Sequence, residues 1–127
     1  MTTINPISVQ DQAVAFFGNN AFIYTWLNLT FATLDQTSFL PGPGWADRSL
    51  QVSGTFGSGG TLTIEGSNDG ASFFTLHDPF SNLLNISTPG IYQITEICAY
   101  IRGRVVAGDG STSLNVTGMF VNHAGLI

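Results

Sequence analysis

Residues 60–76 read GTLTIEGSNDGASFFTL. Leu62 and Ile64 alternate with Thr61, Thr63 and Glu65, the period of two that gives a strand one apolar and one wet side. Asn68-Asp69-Gly70 follows, residues that tolerate the positive φ of a turn, and a second apolar segment begins almost at once. The stretch predicts a hairpin between 61–66 and 72–76. No reactive group converges on it.

The same period recurs on both sides. In SLQVSGTF, Leu50, Val52, Gly54 and Phe56 share one face and Ser49, Gln51, Ser53 and Thr55 the other. In STSLNVTGMF, Leu114, Val116, Gly118 and Phe120 oppose Ser113, Asn115, Thr117 and Met119. These are expected to be strands with one solvated side. Residues 12–17 and 22–31 are β-rich by composition. Residues 91–106 hold either two strands or one long bent strand, with Ile97, Ala99, Ile101, Gly103 and Val105 facing one way and Tyr100, Arg102 and Arg104 the other. Gly18-Asn19-Asn20, Pro41-Gly42-Pro43-Gly44, the Gly57-Ser58-Gly59-Gly60 hairpin connection, Thr88-Pro89-Gly90 and Gly108-Asp109-Gly110 punctuate the chain. No sustained helical period is present. The expectation is all-β: one antiparallel β-sandwich domain over 1–127, jelly-roll-like, of about eight strands, with 1–12 a possible extended N-terminal arm.

Charge is the unusual feature of the composition. Three Arg, no Lys, six Asp and two Glu make 9% of the 127 residues charged, against about 25% in typical soluble domains. Lysine is a usual guard of exposed sheet edges, so a β-rich chain without it must protect its edges otherwise. Contact with copies of itself or with a larger assembly is one way; solvation by Ser, Thr, Asn and Gln is the other. With a net charge of −5 and only Arg48, Arg102 and Arg104 to meet phosphates, nucleic acid is not an expected partner. Nor is a membrane, because AFIYTWLNLTFATL has only 14 residues and carries Asn28 and three Thr. The opening MTTINPISVQDQ lacks the basic start and apolar run of a secretory leader.

Candidate chemistry is thin. His77 beside Asp78 and His123 near the C-terminus are the two histidines, and there is no nucleophile elbow. Cys98, in the apolar run ITEICAYI, reads as a small buried hydrophobe with acidic Glu96 nearby, a poor setting for a thiolate. Glu65 and Glu96 are the only glutamates, each on an expected strand, and nothing in the sequence joins them into the acid pair of a glycosidase. Asp47, Asp69 and Asp109 lie in glycine-rich loops, where either turn formation or calcium explains them, without a calcium-loop spacing. GSGG at 57–60 has no following Lys and no helix, so it is no phosphate cradle. No catalytic, cofactor or metal residue is assigned.

Aromatic residues remain. Trp26, Trp45, Phe73, Phe74 and Tyr100 are core, partner anchors or a sugar-stacking platform; the adjacent Phe73-Phe74 pair sends one ring to each face. Trp45 is either a plug over the core or an exposed anchor. The expected partner contacts are Trp45 with its Pro-Gly loop, Phe16 and Phe17, the tail near His123, and Arg102 and Arg104 toward acidic partners.

The hairpin of Val52, Gly54, Phe56, Thr61, Leu62, Ile64 and Gly66 to Gly70, followed by Tyr100, Arg102 and Gly108 to Val116, resembles small virion proteins of tailed bacteriophages, particularly capsid decoration (cement) proteins. The likeness spans 50–117, about half the chain. It implies a non-enzymatic β-sandwich, commonly a homotrimer, without a cofactor. Such a protein is made in the host cytoplasm, binds the major capsid protein on the outer capsid and stabilises the head. The alternative is a carbohydrate- or receptor-binding module of a head fibre or tail. That alternative requires exposed aromatics beside Asp or Asn in one cleft and binding to a host glycan.

Overall fold

Val52, Val116 and Trp26 lie side by side on three neighbouring strands, and all three side chains are buried. The strands that carry them belong to a two-sheet β-sandwich, seen in a computed structural model that describes residues 3–4, 8–10, 21–37, 40–41 and 47–121. In chain order they are β1 (Thr3–Ile4), β2 (Ser8–Gln10), β3 (Ala21–Thr30), β4 (Gln36–Thr37), β5 (Leu40–Pro41) and β6 (Asp47–Thr55). Then come β7 (Thr61–Ser67), β8 (Phe74–Thr75), β9 (Asn85–Ile86), β10 (Gly90–Gln93), β11 (Tyr100–Ala107) and β12 (Ser113–Val121). Among the described residues five of the twelve strands are two-residue pairings, and the seven longer ones are close to the eight or so expected. Every regular element among the described residues is a strand, and no helix there is long and apolar enough to cross a membrane.

One sheet runs β10-β6-β12-β3-β2; the other runs β1-β4-β11-β7-β8, with β5 also on β11 and β9 also on β7. We call them the B-sheet and the A-sheet. All pairings are antiparallel except β1 with β4. From β5 to β6, β6 to β7 and β9 onward the chain changes sheet at each connection, the jelly-roll-like winding that the alternating segments anticipate. Residues 3–4 and 8–10, placed in an extended arm from sequence, are extended and paired into the sheets. The expected strand at 12–17 lies outside the described residues.

Leu50 and Val52 from β6, Leu114, Val116 and Phe120 from β12, and Trp26 and Leu29 from β3 meet Leu62, Ile64, Ile101 and Val105 of the A-sheet in one core. Burying each contributes about 2 kcal/mol from apolar area. Trp26 and Leu29 both face inward although they are three residues apart. A bulge explains this: Leu114 pairs with Leu29 and Val116 with Trp26, so two residues of β3 oppose Asn115 alone. Asn28 takes φ 59° there, and its N–H is accepted by Asn115 Oδ1 at 3.1 Å.

Three expectations change. Thr63 and Glu65 are buried, not wet, because β7 is an inner strand whose outward side is covered by side chains of β11 and by Asn85. The Gly57–Gly60 segment is a crossover between sheets and not a hairpin connection, since β6 and β7 belong to different sheets. Residues 91–106 hold two strands, the first of the two alternatives, but 94–99 lies outside both, so Ile97 does not share the buried face of Ile101 and is 75% exposed.

Candidate functional site

Two surfaces carry whatever chemistry the sandwich offers, and a third, the outer A-sheet, is spent on internal pairing. There, β11 places Arg102 opposite Glu65 and Arg104 opposite Thr63. Arg102 Nε donates to Glu65 Oε1 at 2.9 Å, and Arg104 donates from Nε to Oε1 at 3.1 Å and from Nη2 to Oε2 at 2.9 Å. Burial alone would raise the Glu65 carboxyl, but the hydrogen bonds and charge of Arg104 and Arg102 outweigh it and hold it below the usual range. Phe73 lies under the Arg102 guanidinium, 3.8 Å from ring centroid to Cζ. Both arginines expected at a partner surface are thus engaged within the fold by one carboxylate.

The first open surface is a cleft of about 620 Å³ between the 66–77 hairpin and the 96–98 segment. The hairpin forms as expected, Glu65 opposite Thr75 and Gly66 opposite Phe74, but its loop is longer than a tight turn. Asp69 builds that loop: Oδ1 accepts the N–H groups of Ser72 and Ala71 and the Ser67 hydroxyl, each at 2.8 Å. Those bonds, Ser72 first, hold its carboxyl down to about 2. Asn68 Oδ1 accepts the Ala99 N–H at 2.9 Å, tying the loop to the opposite wall. Glu96 ties the other end. Its Oε1 accepts the His77 backbone N–H at 2.8 Å, and Oε2 faces His77 Nδ1 at 2.5 Å, where Nδ1 donates. Desolvation opposes ionisation of Glu96, but the His77 bonds prevail and lower its carboxyl. Behind this wall Arg48, 2% exposed, donates from Nη2 to the Glu96 carbonyl.

Cys98 and His77 both line the cleft, yet they do not form a nucleophile and base. The thiol donates to the Tyr100 carbonyl at 3.3 Å. Burial pushes it up, and the nearby Arg48 charge offsets only part of that. Phe74 is 71% exposed at the cleft and Ile97 stands beside it. Among the described residues no group of three or more His, Cys, Asp or Glu could hold a metal ion. Asp109 explains its Asp-Gly loop by accepting from Ser111 Oγ at 2.6 Å, the Ser58 N–H at 2.8 Å and the Ser111 N–H at 2.9 Å.

The second surface is the outer face of the B-sheet. Pairing aligns Gln93, Ser49, Met119 and Ile23 in one row and Ile91, Gln51, Thr117 and Thr25 in the next. Neither row contains a charged side chain. Ile91 is 70% exposed, and a shallow depression of about 400 Å³ runs past Ile91, Gln93, Ser49 and Met119 to Asp47, Arg48 and Val121 at its end.

Of the expected contact residues, Phe16, Phe17, Trp45 and His123 lie outside the described residues. Trp26 is core. The His77–Glu96 pair and the exposure of Ile91 and Ile97 escape sequence reading, because each depends on which strand a residue meets across the sandwich.

No family model matches the chain, and no curated protein matches it in sequence. Its fold is similar to the crystal structure of the SPBc2 prophage-derived protein YomS. That likeness has a TM-score of 0.58 at 12% identity and covers 80% of this chain and 95% of that one. Weaker overlaps include the Schizosaccharomyces pombe Cnp3 cupin domain, with a TM-score of 0.46 at 7% identity over 91% of this chain and 59% of that one. The family 32 carbohydrate-binding module of AlyQ, solved with 4,5-unsaturated mannuronic acid, has a TM-score of 0.36 at 16% identity over 83% and 73%. The chain is a small two-sheet β-sandwich of the kind that YomS also adopts.

Proposed function

We propose that this protein is a non-enzymatic structural component of a phage virion, a decoration-type protein that binds the major capsid protein and associates with copies of itself, as a trimer, through the outer B-sheet. The observation that carries the reading is the uncharged pair of rows from Ile23 to Gln93. An outer sheet face normally bears interspersed charges that keep it from sticking to another sheet. These two rows have only serine, threonine, glutamine, isoleucine and methionine, and the nearest acidic side chain, Asp47, lies one row beyond them, opposite Val121. Two of the chain's three cations are taken up by Glu65 on the other sheet, and the two uncharged rows meet a partner at little desolvation cost. Similarity of fold to a prophage-derived protein supports the phage setting, as does the resemblance of residues 50–117 to decoration proteins.

The test is native mass by light scattering across a dilution series, together with co-sedimentation with phage heads assembled without the protein. The expected result is an oligomer that Gln51→Arg combined with Thr117→Arg reduces to monomer, with loss of head binding. A wild-type chain that is monomeric at all concentrations and does not sediment with heads overturns the reading.

A further inference from the structure

We propose that the cleft beside Phe74 is a binding site for a neutral saccharide, a pyranose ring lying on the Phe74 face with its hydroxyls on the cleft's polar wall. Pairing places Phe74 opposite Gly66, which in turn faces Ile101, a row that elsewhere looks into the core. Its ring is nevertheless 71% exposed. The two-residue strand β8 therefore holds an aromatic face at the mouth of the sandwich. Axial C–H groups of a pyranose pack on such a face, whose π cloud is negative. The cleft's volume of about 620 Å³ lies within the usual range for small-ligand sites and suits one or two sugar rings.

The polar groups decide between a sugar and an apolar protein anchor. Asn68, Asp69, Ser72, Thr75, His77 and Glu96 share the cleft with Phe74. An apolar side chain inserted there strips water from two carboxylates and returns no hydrogen bond. A sugar hydroxyl replaces that water. The acceptors are already fixed: Asp69 by its own loop, Glu96 by two bonds from His77, and Asn68 by Ala99 through Oδ1, which leaves the amide N–H₂ as a donor. Each Glu96 oxygen retains a lone pair for a hydroxyl. Charge sets the class further. The lining contains Asp69 and Glu96 and no lysine or arginine, so uronic and sialic acids are repelled and neutral hexoses or N-acetylhexosamines are favoured. The cleft residues do not overlap the B-sheet face, so this site and capsid attachment stand or fall separately.

The test is an amide NMR titration of the ¹⁵N-labelled full chain with neutral oligosaccharides of glucose, galactose, mannose and N-acetylglucosamine, and with a galacturonate oligomer. The expected result is saturable shifts at Asn68, Ser72, Thr75, His77 and Ile97 with at least one neutral sugar. Binding is expected to weaken at least tenfold in Phe74→Ala, whose exposed ring can be removed without touching the core, and to persist in the Gln51→Arg, Thr117→Arg chain. Three results overturn the proposal: no shifts across the neutral panel, equal binding in Phe74→Ala, or galacturonate binding as tightly as its neutral counterpart.

Discussion

Glu65 is the residue on which the outer A-sheet depends. Its side chain is 7% exposed and accepts from two arginines whose own side chains are 16% and 32% exposed. Glu65→Gln keeps the shape but leaves two guanidinium groups facing a neutral amide. Loss of one partner of a buried pair typically costs about 3–5 kcal/mol, and the partial exposure of Arg104 reduces that to about 2–3 kcal/mol. Urea denaturation checks this, and an unchanged midpoint contradicts it. The acid response belongs to residues as well. Asp69 and Asp109 are held near 2 in the fold against about 3.9 in an unfolded chain. A lowered folded value means the stabilisation is complete above about pH 4 and is lost as pH falls toward 2. Melting temperature is therefore expected to be flat from pH 7 to about 4.5 and to drop below pH 4, with a shallower drop in Asp69→Asn. A drop of equal steepness in that variant would assign acid sensitivity elsewhere.

At the scale of the element, β6 shows what a strand needs from its glycine. Gly54 sits at φ 106°, and a Cβ there would come within 2.5 Å of the Ser113 carbonyl oxygen on β12. Gly54→Ala forces the β6–β12 pair apart near Thr55 and is expected to destabilise by about 2–3 kcal/mol, read from the shift in thermal midpoint. If that midpoint does not move, the backbone here is more compliant than its packing implies. Strands such as β6 and β12 were legible because one wet side leaves a period of two in the letters. β7 was legible in position but not in burial, since Thr63 and Glu65 look like solvent residues until Arg102 and Arg104 arrive from 37 and 39 positions beyond Glu65. The cleft was hidden for the same reason. Asn68-Asp69-Gly70 announces a turn, but nothing near it tells that Glu96 and Ile97 form the other wall. The two-residue strands leave no period to detect.

For the whole molecule, the question is how a chain with so few charges keeps to its intended contacts. If copies meet through the uncharged B-sheet rows, their association has little Coulombic component. Raising NaCl from 0.05 to about 0.5 M is then expected to leave the dissociation constant unchanged or to tighten it slightly. Sedimentation equilibrium at the two salts measures this. Marked weakening would point to ion pairs and away from that face.

The order of strands within the sheets has a consequence for synthesis. β12 is flanked by β6 and β3, and β11 by β7 and β4. Both central strands follow most of their sheet neighbours in the chain. Until residue 121 emerges, β3 and β6 have no common neighbour, and the earlier chain carries exposed strand edges with no lysine to guard them. The sandwich therefore closes only once β12 has been made, and its edges stay open longer than in a sandwich whose central strands come first.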